Sequence, residues 1–269
     1  MNDNVKIKIK DHIAVVSLSR PDKMNALDIQ MFNNLISIAG IIDNDVSIRC
    51  VVIHGEGKSF CAGMDLSNFM DTDPDSPINQ PLINRTHGIA NIWQKAVYIW
   101  KELQVPVIAA VHGVAIGGGL QLMLAADVKY VAPDTKLSIM EMKYGLIPDM
   151  AGTQLMRHTV REDVIRELTY TNRMFSGVEA VDFGFATHVS DNPFDAAYKL
   201  ATTIAEKSPD AIVKAKKLLN AAPYLSQSQG LVLESEFQQQ LLKSKNQMEA
   251  VFAAMQKRKG QFDDRINEL

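Results

Sequence analysis

The groups in this chain best placed to do chemistry belong to the backbone. Residues 105–130 read VPVIAAVHGVAIGGGLQLMLAADVKY. Residues 105–111 form an apolar run that fits a buried strand, and His112-Gly113 breaks it. Gly117, Gly118 and Gly119 then stand directly before a second apolar segment, residues 120–126. A strand that feeds a glycine cluster and then a short Ala/Leu-rich helix leaves unpaired N–H groups at a helix start, with no side chain in the way. Such a place can hold a negatively charged oxygen. The competing reading is a tight packing turn, and one glycine cluster alone does not choose between them. A second loop of the same logic supplies the missing partner. Residues 55–66, GEGKSFCAGMDL, follow another strand candidate at residues 50–54. Two such loops together mean more than either alone.

Several side chains read as structural. His112 sits beside the glycine-rich stretch as a hydrogen-bonding residue rather than a base. Cys50 and Cys61 have no metal-ligand spacing, and Cys50 reads as a small buried hydrophobe. A formal net charge of -3 argues against a nucleic-acid protein, because no broad basic field would meet a phosphate backbone. The N-terminal stretch lacks a signal-peptide core, and no apolar run approaches the length that spans a membrane. The expectation is a cytoplasmic, soluble protein with no membrane partner.

The elements that must position these loops follow in order. Residues 5–9 and 13–18 read as two strands joined by an Asp11-His12 turn. Residues 20–23 form a turn, and a helix follows with Ile29, Phe32, Leu35, Ile36 and Ile38 among its apolar positions. Residues 71–81 are acidic and proline-rich, which predicts a mobile surface loop. Residues 83–103 have a helical rhythm carrying Trp93, Val97, Trp100 and Leu103. Further helices are expected from Gly152 to about residue 159, over 161–169 and over 177–183, with a short strand at 186–189. From residue 192 the chain reads as wholly helical: 193–206, 209–221, and one long segment over about 226–257. With 269 residues, 46% of them hydrophobic, the chain can build one sizeable core. The fold class is α/β, with a core at 1–190 and a helical region at 191–269.

Five stretches then carry a family pattern: RPDKMNALD from Arg20, GKSFCAGMDL from Gly57, HGVAIGGGLQLMLAADVKY from His112, GLIPDMAGTQLM from Gly145 and FSGVEAVDFGFATHV from Phe175. In this order and spacing the chain resembles the enoyl-CoA hydratase/isomerase (crotonase) superfamily along nearly its whole length. The resemblance implies a crotonase-like spiral of ββα units with a C-terminal helical module that assembles a homotrimer or dimer of trimers. It implies an acyl-CoA thioester substrate, an oxyanion hole from the backbone N–H groups of Met64 and Gly118, and no metal or cofactor beyond the CoA moiety of the substrate. Lys23, Ala26, Ala62 and Asp65 are carried over as the CoA-binding surface. The acyl chain is expected to run toward residues 67–103, with Trp93 and Trp100 as pocket wall.

The acid positions separate the family's reactions. By the resemblance, hydratases use two glutamates; here Gln121 fills the first position and Glu141 the second. Asp149 matches the place where dienoyl-CoA isomerases and a chlorobenzoyl-CoA dehalogenase carry a catalytic aspartate. A glutamine orients water or substrate but cannot trade a proton. The expectation is therefore isomerisation of an enoyl-CoA or dienoyl-CoA by Glu141, aided by Asp149, with Gln121 as a pocket residue. The alternatives are a hydratase and a weakly active or non-catalytic acyl-CoA-binding protein. Structural roles stand beside the catalytic ones: Asp149 as a cap for the helix beginning near Ala151, and Glu141 as a solvated loop charge.

Overall fold

A computed structural model describes residues 4–266. The chain opens with strands β1 (Val5–Lys10) and β2 (Ile13–Leu18), paired antiparallel. Asp11 and His12 join them at φ of 50° and 65°. Positive φ at both central residues is what a tight hairpin turn needs if its twist is to match the strands. Helix α1 (Ile29–Asn44) is capped by Asp28, whose carboxylate accepts from the Met31 N–H at 2.8 Å. Its buried face is Met31, Phe32, Leu35, Ile38, Ala39 and Ile42, the stripe that helical periodicity prescribes.

There follow β3 (Cys50–Gly55), α2 (Ile92–Glu102), β4 (Val107–Val111), β5 (Val114–Ile116), α3 (Gly118–Leu124), β6 (Val128–Val131) and β7 (Lys136–Ser138). Then come α4 (Gly152–Met156), α5 (Glu162–Thr171), α6 (Gly177–Phe183) and β8 (His188–Val189). Helices α7 (Pro193–Ala205), α8 (Pro209–Ala221), α9 (Gln227–Leu241) and α10 (Lys245–Met255) complete the order. The main sheet runs β1-β2-β3-β4-β6-β8 and is parallel from β2 onward.

Both faces of this sheet are covered, which explains why β4 and residues 50–53 of β3 are continuous apolar runs rather than alternating. On one face lie α1 and α2, locked by an edge-to-face contact of Phe32 and Trp93 with centroids 4.6 Å apart. Such a contact adds about 1 kcal/mol beyond the area it buries. On the other face α7 sets Ala197, Ala201 and Ala205 against Ile13, Cys50, Val52, Ile108 and Ala110. Small residues on that helix let it approach the sheet closely. The first helix after residue 190 thus belongs to the sheet's own packing.

A second, smaller layer lies beside the main sheet. Its centre is the β5–β7 pair. Single bridges extend it: Cys61 to Ala115, Leu27 to Met64, and Leu137 to Phe175. Each turn of the chain therefore lays one strand in the large sheet, one short extended segment in the small layer, and then a helix. This is the expected spiral of ββα units, with helices after it.

The elements differ most from the sequence reading in three places, besides helix α4 ending at Met156 rather than near 159 and β8 spanning only His188–Val189. The helix expected over 83–103 starts only at Ile92, where Asn91 and Gln94 form a reciprocal capping box that fixes the start. The long segment over 226–257 breaks in two, because Leu242–Ser244 leaves helical geometry and Lys243 turns to φ 65°. Strands β5 and β6 have no counterpart in that reading. Three- and four-residue strands beside glycines carry too little periodicity to read.

Candidate active site

The two glycine-rich loops lie against each other through backbone bonds. Cys61 N–H donates to Val114 O at 2.9 Å, and Ile116 N–H donates to Cys61 O at 3.1 Å. On the outer side Leu27 N–H donates to Gly63 O at 2.7 Å, and Asp65 N–H donates to Leu27 O at 2.9 Å. The glycines make this approach possible. A Cβ on Gly119 would sit 2.3 Å from Cys61 O, and one on Gly63, at φ 93°, would sit 2.6 Å from Ile116 O. Gly117 turns at φ 52° to start α3.

That ladder leaves two amides over. Met64 lies between the donors at Leu27 and Asp65, and its N–H donates to no group among the described residues. Gly118 is the first residue of α3, so its N–H has no carbonyl a turn behind it. Both residues line one cavity of about 550 Å³. Two free donors from neighbouring loops, facing one cavity, are what an oxyanion asks of a protein.

Glu141 and Asp149 line the same cavity. Glu141 begins a short 3-10 turn at residues 141–144, after β7. Its Oε1 accepts from Gln121 Nε2 at 2.7 Å, while Oε2 is buried with no hydrogen-bond partner among the described residues. Burial pushes its carboxyl above the ordinary glutamate range, and the charge of Asp149 adds to the rise. Burial likewise raises Asp149, which sits at the more open part of the wall. Asp149 is not a helix cap. The residue before α4 is Ala151, in a left-handed conformation, and no side chain caps that helix. Glu141 is half-buried rather than a solvated loop charge.

Gln121 differs from the expected pocket residue. It lies fully inside the protein, 2% exposed, and does not reach the cavity wall. Its Oε1 accepts from Met150 N–H at 2.9 Å and from Gly152 N–H at 2.8 Å, and its Nε2 holds Glu141. The amide is consumed by the protein: one end fixes the 150–152 turn, the other aims the carboxylate. A buried amide must find partners, and here it has found them within the fold.

Trp100 is a second correction. It is buried in the core, with its indole N–H spent on Ala96 O at 3.0 Å within α2. Trp93 does not line the main cavity either. It forms the floor of a neighbouring cavity of about 230 Å³, which shares Leu82 with the first. Both tryptophans lie on the face of α2 turned inward, and amphipathic spacing cannot separate core from pocket wall.

Lys23, Ala26, Ala62 and Asp65 all lie along the same cavity. Lys23 is exposed at the edge. Asp65 also serves the fold, accepting from Ser67 N–H at 3.1 Å and pairing with Arg20 Nη2 at 3.0 Å. Arg20 reaches Asp28 at 3.1 Å as well, so one guanidinium joins the cap of α1 to the first loop. Hydrogen bonds to Ser67 and Arg20 hold the Asp65 carboxyl below its usual range, against the opposing effect of burial. His112 is the structural bonder expected of it, with Nε2 donating to Gly57 O at 3.0 Å. The apolar wall, formed by Ile116, Met140, Tyr144, Leu146, Ile147 and Met150, has no signal in the sequence. Apart from Ile116 at the end of β5, these residues come from a short 3-10 turn and loops, where no periodicity marks a buried face.

A spiral of ββα units, two loop amides and the carboxyls of Glu141 and Asp149 around one cavity define a crotonase-type protein. The sequence profile of the enoyl-CoA hydratase/isomerase family matches residues 8–265, and the chain belongs to that family. It is similar to YngF of Bacillus subtilis, a protein given the enoyl-CoA hydratase/isomerase family name, at 32% identity over 97% of this chain and 99% of that protein. It is also similar to the peroxisomal Delta(3,5)-Delta(2,4)-dienoyl-CoA isomerase of Arabidopsis thaliana, at 32% identity over 91% of this chain and 90% of that one. Among solved structures, an enoyl-CoA hydratase from Bacillus anthracis superposes with a TM-score of 0.87 at 27% identity, covering 96% of this chain and 98% of its own. The chain is thus an acyl-CoA-processing enzyme of this family, and its relatives carry both hydratase and isomerase names.

Proposed function

We propose that this enzyme moves a carbon–carbon double bond along the acyl chain of an enoyl-CoA or dienoyl-CoA thioester. The observation that carries the reading is the state of Gln121. Its amide is buried off the cavity wall, where it holds Glu141 and the 150–152 turn, and an amide has no proton to trade with a water. Asp65 is tied to Arg20 and Ser67, and the other carboxyls along the cavity are Glu141 and Asp149.

In the proposed reaction, ionised Glu141 removes a proton from the carbon next to the thioester of a 3-enoyl ester. The C–H electron pair moves into the thioester and gives a dienolate, whose oxygen accepts from the Met64 and Gly118 N–H groups. Each such donor is worth about 3 kcal/mol at the transition state. The proton returns at the far carbon of the old double bond, and the electron pair leaves the oxygen to form the new one. No water is added and nothing is oxidised, so this chemistry asks for no group beyond the substrate's own CoA. A dienoyl ester needs the proton moved further, which favours removal by one carboxyl and return by the other. Both carboxyls are held above their usual range by burial, which suits groups that must give a proton as well as take one.

Lys23, Ala26, Ala62 and Asp65 would flank the CoA part in this reading. Assembly into a trimer or a dimer of trimers belongs to the same proposal. It is supported by apolar side chains left open on the last two helices, among them Leu231, Val232, Val251 and Phe252.

The deciding experiment offers matched CoA esters, 2-trans-enoyl, 3-enoyl and 3,5-dienoyl, and follows mass and ultraviolet absorbance. A shifted double bond at unchanged mass, lost in Glu141→Gln, is the expected result. Uptake of one water by the 2-enoyl ester, faster than any isomerisation, would instead make the enzyme a hydratase.

A further inference from the structure

A second cavity lies away from the catalytic wall and shares no lining residue with it. It measures about 180 Å³, and its wall includes Tyr98, Lys101, Asp127, Lys129, His158 and Tyr224. Its charges do not balance. Asp127 is the carboxylate in the wall, and it is already engaged: Oδ2 accepts from Val107 N–H at 2.9 Å and pairs with Lys216 Nζ at 2.8 Å, while Oδ1 pairs with Lys101 Nζ at 3.4 Å. Lys216 stands behind the wall, buried and further tied to Val105 O at 2.8 Å.

Lys129 is left over. It is 7% exposed, and its ammonium donates to Ala126 O at 3.0 Å, with no carboxylate in ion-pair range among the described residues. An ammonium carries three donors, and one carbonyl satisfies one of them. Burial lowers its pKa to about 8, against the attraction of Asp127, and the neighbouring Lys101 charge lowers it further. At the cavity's edge His158 accepts from Arg157 Nε at 2.9 Å, and the Arg157 guanidinium lies 4.9 Å from the Tyr224 ring centre. The wall is therefore cationic, partly dry and bordered by phenols.

We propose that this cavity is a binding site for a compact oxyanion, a phosphate or a short carboxylate, held by Lys129 with Lys101 beside it. A volume near 180 Å³ suits a small ion and excludes a CoA ester. The bound oxygens would take up the free Lys129 donors and offset the surplus charge of three lysines on one aspartate. The position gives such an ion a route to the chemistry. Leu124, at the end of α3, lines this cavity, and Gly118, at the start of α3, lines the other. The same holds of α4, where Gln154 and Leu155 face the anion site while Gly152 N–H holds Gln121.

The test titrates the full-length protein with inorganic phosphate, and separately with acetate, against sodium chloride of matched ionic strength. The thermal midpoint and calorimetric heat are the readouts. Binding to the folded state alone raises the midpoint with saturation. The expected result is a saturable rise above the chloride baseline that weakens at least tenfold in Lys129→Met. The same loss is expected in His158→Glu, which places a carboxylate at an exposed edge position and leaves the core untouched. Glu141→Gln should keep the rise in full, which separates this site from the proposed catalytic one. The tighter of phosphate and acetate assigns the ligand's class. A rise no larger than that from chloride, or one that survives both Lys129→Met and His158→Glu, overturns the assignment.

Discussion

Gln121→Glu is the substitution that bears hardest on the proposed chemistry, because it changes one atom and leaves the shape intact. In the native protein the Gln121 Nε2 donates to Glu141 Oε1 at 2.7 Å, while its Oε1 accepts from the Met150 and Gly152 amides. A glutamate there keeps both accepted bonds, which favour its ionised form, and puts an oxygen where the donor was. Two ionised carboxylates 2.7 Å apart repel by about 6 kcal/mol at an effective dielectric constant of 20. The pair avoids this by keeping one proton between them. That proton resides mainly on Glu141, whose carboxyl is already pushed up by burial. The base is then blocked near neutral pH, and each unit by which its pKa exceeds the assay pH costs about tenfold in ionised form. The expected outcome is a fall of about ten- to a hundredfold in isomerase kcat/KM at pH 7. The loss should shrink as the pH rises, so the acid limb of the pH profile moves upward. The assay is kcat/KM for a 3-enoyl-CoA from pH 5 to 9 in both proteins. An unmoved acid limb with undiminished activity would refute the role given to the Gln121–Glu141 contact. New water addition by the variant would show that the first hydratase glutamate was all the site lacked.

Three further outcomes follow from the same geometry. Glu141→Gln should abolish turnover, and it should also remove a pH dependence of stability. A carboxyl raised in the folded state binds more protons there than when unfolded, so its contribution is full at low pH and is lost as pH rises through the folded value. Denaturant midpoints at pH 5 and pH 8 should therefore differ less in the variant than in the parent. Asp149→Asn removes one of the two causes that raise Glu141, so the acid limb for 3-enoyl turnover should move down while 3,5-dienoyl turnover falls at least tenfold. Equal retention of both activities would leave Asp149 without a chemical role. Gly119→Ala places a Cβ 2.3 Å from the backbone oxygen of Cys61, which no rotamer can relieve. It should cost about 1–3 kcal/mol in denaturant titrations, and it should lower kcat more than it raises KM, because the two loops must part.

The sequence carried the parts of this site that depend on backbone and spacing. Glycine at 63, 117 and 119 is demanded by positive φ or by backbone contact closer than a Cβ allows, and such demands leave residue types that can be read. The sheet was legible for a similar reason. Strands buried on both faces become apolar runs, as β3 and β4 do. Gln121 and Trp100 were misplaced, and Trp93 was set on the wrong cavity, because their chemistry depends on which way a side chain turns within a packed interior. A glutamine after a glycine cluster has the same spacing whether it faces substrate or faces inward. Only the amides of Met150 and Gly152, some thirty residues on, settle the matter. The same limit hid the surplus charge of Lys129. In the string it is one lysine in a stretch too short to read as a strand, and its isolation appears only when Lys101, Lys216 and Asp127 are brought around it by α2, α8 and the turn before β6. Residues fixed by the backbone announce themselves locally. Residues fixed by a distant partner do not, and the proposed selection between reactions rests on the second kind.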